Sequence, residues 1–124
     1  MKPRPIVIVD ARNVQRSRWP NIPDDDLVRR ACAWAEEAGA DALVVFDGRA
    51  PEGPGGPCEV VGSGAESADD SIIRAAGGFA AEGRPYWLVT SDRALRAAAG
   101  LHADRVIGGG SFAGELLGEN PRGR

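Results

Sequence analysis

Three stretches of this 124-residue chain, IVIVD (6–10), LVVFD (43–47) and LVTSD (88–92), run from unbroken apolar residues into an aspartate. Short continuous runs rich in β-branched and aromatic residues are expected of strands buried on both faces, as in a parallel sheet. IVIV, ALVVF and YWLV supply the three central strands, while EVV (59–61) and RVI (105–107) are shorter and read as edge strands. Helical patterns separate them. DDDLVRRACAWAEEAGA opens on acids and closes on Gly39; further helices are predicted over 67–82, 92–99 and 111–117. Alternating β and α with short connections predicts a three-layer α/β/α domain with a mainly parallel sheet of about five strands.

The length suits one domain, expected over residues 1–118, with 119–124 as a disordered tail. No apolar run approaches the ~20 residues that span a bilayer, and MKPRPIVIVDARN is not expected to act as a signal peptide. Cys32 and Cys58 are expected to be buried reduced thiols, and the protein cytoplasmic with no membrane partner. A net charge of −3 argues against a non-specific nucleic-acid coat protein. It leaves room for a nuclease, whose site is acidic and whose rim is basic.

Ligands of open α/β sheets bind beyond the carboxyl ends of the strands. Asp10, Asp47 and Asp92 all fall there, where their mutual repulsion calls for a cation. A fourth acid comes from ESADDSII (66–73). On that helix Ile72, Ile73, Ala76, Phe79 and Ala80 define an apolar face, and Asp69 falls near its middle in the first turn. Asp70 lies roughly 100° from Asp69, with Glu66 between. Ser67-x-x-Asp70 and Ser63-x-x-Glu66 resemble capping boxes, so Asp70 and Glu66 have local explanations that Asp69 lacks. Asp92 could equally cap the helix that follows it. Four carboxylates suit a hard cation, Mg²⁺ or Mn²⁺, and the lack of metal-spaced His or Cys counts against zinc.

His102, the single histidine, reads as a surface or capping residue. No P-loop is present and no GxGxxG follows the first strand, so no nucleotide cofactor is expected; GSG (62–64) and GGG (108–110) read as turns. Arg12, Arg16, Arg18, Arg49, Arg93 and Arg96 flank the acidic edge and would together form a rim for a phosphate backbone. Trp19, in RSRWP, fits either a base-stacking residue or a packed loop anchor.

VDARN, VVFDG, ESADDSI and VTSDRAL, in this order and spacing, resemble the NYN domains of the PIN-like nuclease superfamily, especially the YacP-like group. The resemblance covers residues 5–117. It implies a metal-dependent ribonuclease acting on RNA, with Asp10, Asp69 and Asp92 as the metal-binding centre. It further implies Asn13 as a polar partner, Asp47 as an additional acid, Thr90 and Ser91 as the hydroxyls before the third acid, and Arg93 as the base after it. Glu66 and Asp70 would stand just outside the metal shell. One departure is that DARN replaces the family's common DGYN, so Ala11 and Arg12 stand for a glycine and an aromatic. The alternative is a catalytically inactive RNA- or protein-binding module of the same fold. A receiver-like phosphoacceptor would need a lysine at a late strand end, and the only lysine is Lys2.

Overall fold

The computed structural model describes residues 3–119. Five strands form one sheet: β1 (Ile6–Asp10), β2 (Asp41–Phe46), β3 (Cys58–Gly62), β4 (Tyr86–Val89) and β5 (Arg105–Ile107). Their order is β3-β2-β1-β4-β5 and every pairing is parallel. β3 and β5 lie at the edges, as expected, although β3, with five residues, is no shorter than the central β1 and longer than β4. Between them run α1 (Ala11–Arg16), α2 (Asp24–Glu37), α3 (Ala68–Ala81), α4 (Arg93–Ala99) and α5 (Gly109–Leu116).

The period of two along each strand sorts its side chains between two cores. Val7, Val9, Val44, Phe46 and Val89 face the layer holding α1, α2 and α5. Ile6, Ile8, Leu43, Val45, Tyr86 and Leu88 face α3 and α4. Burial on both sides is why the central strands read as unbroken apolar runs.

Four expectations need correction. Cys32 of α2 and Cys58 of β3 form a disulfide, not two free thiols, because α2 lies across the sheet edge with their Cα atoms 5.6 Å apart. Residues 11–16 form a helix directly after β1; its buried residues are Ala11, Val14 and Gln15, a one-turn pattern too short to show as periodicity. Gly109 and Gly110 open α5 rather than making a turn, with Gly108 at its N-cap position. On α3 the buried row is Ala68, Ile72 and Ala76, while Ile73 is 37% exposed and Ala80 lies outside. Asp69 therefore sits half-buried at the margin of the apolar face, not at its middle.

Of the expected tail, Glu119 is described: its N–H donates to the Gly114 carbonyl and its carboxylate meets Arg18. Residues 120–124 lie outside the described residues. Among the described residues no helix is long and apolar enough to cross a membrane.

Candidate functional site

The strand order reverses direction between β1 and β4, so the crevice outside their carboxyl ends is the topological switch point. Asp10 ends β1, and residues 90–92 follow β4 directly. Thr90, wholly buried, links the two strands. Its hydroxyl donates to Asp10 Oδ2 at 2.9 Å and accepts from the Asp92 N–H at 3.2 Å. The next bond outward is between Asn13 and Ser91: the Ser91 N–H donates to Asn13 Oδ1 at 2.9 Å. Ser91 Oγ in turn accepts from the Gly109 N–H at 2.8 Å, so α1, the end of β4 and the start of α5 are tied together.

Asp10 is 6% exposed. Burial raises its proton affinity above the usual carboxylate range, against the Thr90 hydroxyl; the charge of Asp69 adds to the rise, the Asn13 N–H opposes it, and Asp92 adds again. Asp69 is raised by burial first, then by the charges of Asp92, Asp70 and Asp47. Acids distant in sequence therefore share one field. Among the described residues no ion pair neutralises Asp10, Asp47, Asp69 or Asp92.

Two of the acids also hold helix starts. Asp92 Oδ1 accepts from the Leu95 N–H at 2.9 Å and caps α4. Asp47 Oδ1 accepts from the Ala68 N–H at 3.1 Å, at the head of α3, where Ser67 Oγ caps the Asp70 N–H. Ser63 lies outside α3 and its Oγ accepts from Gly48 N–H, which the positive φ of 75° at Gly48 makes accessible just past Asp47. Glu66 is taken up by a two-pronged pair with Arg74, whose hydrogen bonding holds its carboxyl below the usual range. Asp70 is exposed on the outer side of the cluster.

The donor set is all carboxylate oxygen, which matches a hard divalent ion. Among the described residues, however, no three acidic, His or Cys side chains stand close enough to hold an ion in their present positions. Asp47 and Asp92 each have a second oxygen outside the capping bond, so the chemistry fits while the spacing requires side-chain adjustment.

The six arginines divide. Arg12 bonds Gln15 at 2.8 Å and Asp24 at 2.9 Å, with its guanidinium 5.2 Å from the Phe46 ring centre. Arg18 is spent on Glu119 and on the carbonyls of Ser17 and Gly110. Arg96 Nε holds the Thr90 carbonyl. Arg16, Arg49 and Arg93 are exposed, with no ion pair among the described residues. Trp19 is 89% exposed and so is not a packed anchor. His102 is exposed beside a cavity of about 770 Å³ lined by Pro3, Pro5, Arg84 and Trp87, at the amino ends of the strands and away from the acids.

Gln15 and Gly109 escaped the sequence reading. Gln15 is buried and bonds the Ile22 carbonyl and Asp24. Its signal was its place in the Ala11, Val14, Gln15 row. For Gly109 the signal was the triple glycine itself.

Two crystal structures share this architecture over nearly the whole chain. A single-site mutant of Rae1 (YacP) from Bacillus subtilis aligns at a TM-score of 0.73 and 22% identity, covering 95% of this chain and 78% of that one. Rae1 without that change aligns at 0.69 and 19% identity, covering 94% and 76%. The chain has the Rae1 (YacP) fold. No family model matches it, and no curated protein matches it by sequence.

Proposed function

We propose that this protein is a metal-dependent ribonuclease, an endonuclease that hydrolyses RNA phosphodiesters at the acidic edge between β1 and β4. The observation that carries the reading is the shared, unneutralised field of Asp10, Asp69 and Asp92, drawn from three separate segments. The Rae1-like fold and the family resemblance of the four motifs support it.

Asp10, Asp69 and Asp92 would hold Mg²⁺ or Mn²⁺, with Asp47 as an additional ligand or an outer partner. When bound, such an ion lowers the pKa of a water and stabilises the oxygens of an in-line displacement. The chain's own residues do the rest. Thr90 keeps the Asp10 carboxylate oriented, and its bond to the Asp92 N–H fixes the backbone that presents Asp92. Asn13 fixes Ser91. Arg16, Arg49 and Arg93 supply free positive charge for the phosphate backbone. Asp47, Asp70 and Asp92 are exposed at this edge, which suits a polymer.

The decisive experiment is Asp92→Asn. Asparagine can still cap α4, so the fold should stay intact while Mn²⁺-stimulated RNA cleavage is lost. Unchanged cleavage by this variant overturns the assignment. The loose spacing of the acids and the diversion of Arg12 to Asp24 favour a second reading, an inactive binding module of the same fold. Such a module should show no Mn²⁺-dependent rise in thermal stability.

A further inference from the structure

The connection from α1 to α2 is a short projection pinned at its base. The Ile22 N–H donates to the Gln15 carbonyl at 3.4 Å, and Gln15 Nε2 donates to the Ile22 carbonyl at 2.8 Å. Inside that closure Ser17 Oγ donates to the Val14 carbonyl at 2.6 Å. Arg18 reaches across to the Gly110 carbonyl and to Glu119. A loop fixed at this many points is ordered, yet its next residue, Trp19, is 89% exposed. The large ring is held out in water by a rigid support.

The surroundings indicate what the ring is for. Among the described residues the other exposed large apolar side chains are Ile73, Leu101 and Val106, none of them in this loop. Among the described residues no second large apolar side chain joins Trp19 in an extended patch of the kind that marks a protein interface. Beside it Pro20 is exposed, and the remaining exposed residues of the loop are polar. Arg16, at the loop's start, is exposed, and Asn21, at its end, is exposed as well. Both line a cleft of about 380 Å³ together with Arg12 and Asp24, a volume at the small end of ligand sites. Asp24 does not offset this: hydrogen bonding from Gln15 and from Arg12 already satisfies it. The loop also sits next to the acidic edge, because Arg18 is anchored on Gly110 and Gly109 bonds Ser91, the neighbour of Asp92.

We infer that Trp19 is a stacking platform for one base of a single-stranded RNA, with Arg16 taking an adjoining phosphate beside the cleft. An isolated rigid aromatic flanked by a free cation is the arrangement that single-strand binders use, since every base offers a π-face. The inference rests on the ribonuclease reading for its choice of RNA, and it adds a contact that positions substrate away from the metal-binding acids.

The test is direct binding in EDTA, where cleavage plays no part. A labelled single-stranded oligoribonucleotide is titrated with the wild-type chain, Trp19→Ala and Trp19→Phe, by anisotropy, and tryptophan emission is followed in parallel. Trp34 and Trp87 are half-buried and packed edge-on against each other, so Trp19 is the most exposed ring, and loss of quenching in Trp19→Ala assigns the signal to it. Expected are quenching in the wild type, binding weakened about 5- to 150-fold in Trp19→Ala, and affinity largely kept in Trp19→Phe. Equal affinity for wild type and Trp19→Ala overturns the inference and leaves the ring to a protein partner. Absence of any oligonucleotide binding by the wild type overturns it too. Loss of cleavage activity in a separate Mn²⁺ assay, with Trp19-dependent binding intact, would instead refute the ribonuclease reading alone.

Discussion

Replacing Gly109 by alanine tests the interlock that holds Asn13. A Cβ built on Gly109 would stand 2.1 Å from Asn13 Oδ1, 3.2 Å from Asn13 Cγ and 3.4 Å from the Asn13 carbonyl oxygen. The first distance is far inside van der Waals contact, so the amide must move. Movement breaks the bond from the Ser91 N–H. Overpacking of this kind costs ~1–3 kcal/mol. The lost hydrogen bond adds ~1 kcal/mol. Against these stands the helical preference for alanine over glycine, ~0.5–1 kcal/mol in a helix interior and less at the first position of α5, where Gly109 lies. The net expectation is a destabilisation of ~1–3 kcal/mol, read as a lower urea midpoint with unchanged slope. Gly110→Ala is the internal control, because its Cβ would meet only Arg18 Nη1 at 3.9 Å, an ordinary contact. It should be neutral or slightly stabilising. In an Asn13→Ala background the penalty of Gly109→Ala should largely vanish, giving a coupling above ~1 kcal/mol. If Gly109→Ala matches Gly110→Ala, or the two penalties simply add, the interlock does not constrain Asn13.

Thr90→Val removes a wholly buried hydroxyl that serves Asp10 and the Asp92 N–H; it should cost ~1–3 kcal/mol in urea unfolding and push the acidic limb of the cleavage profile to higher pH. Asp69→Asn should raise the melting temperature at pH 7, since the ionised carboxylate is disfavoured in the folded chain by burial and by Asp92, Asp70 and Asp47. The sign follows from the raised folded-state pKa: the folded chain binds the Asp69 proton more tightly than the unfolded one. The wild type therefore recovers the deficit as pH falls through the folded pKa toward the unfolded value, ~3.9. The gap between the two melting curves should close across that window, and a gap that widens on acidification refutes the repulsive field. The same variant should lose any Mn²⁺-induced stabilisation seen in the wild type.

The parallel sheet was legible because burial on both faces forces continuous apolar runs, and IVIV, ALVVF and YWLV have that form. The edge strands were legible because their apolar runs, within EVV and RVI, are brief, although β3 extends to five residues. Helix α1 was not, since six residues with one buried turn carry too little periodicity to separate them from a loop. With no helix predicted over 11–16, Arg12, Arg16 and Arg18 look alike. Placed on and after a helix, Arg12 turns to Asp24 and Arg18 crosses to Glu119, while Arg16 stays outside. The disulfide was hidden for a related reason: 26 residues separate Cys32 from Cys58, and only the docking of α2 on the sheet edge brings them together.

The acids show where sequence geometry stops. A helical wheel treats the apolar face as an angle, and by angle Asp69 lies in its middle. The row that is buried, Ala68, Ile72 and Ala76, is turned away from Ile73, which leaves Asp69 in the first turn at its margin. There Ala68 takes the inward place, its N–H bonded to Asp47, and Asp69 is left half-buried. That position is what a metal ligand needs. A carboxylate at the middle of the face would be sealed among Ile72 and its neighbours, strongly desolvated and protonated. At the rim it feels Asp92 and Asp47 while still meeting solvent, through which an ion and an RNA strand could approach. The half-buried margin is therefore a better argument for Asp69 as a ligand than the central position the wheel assigned it.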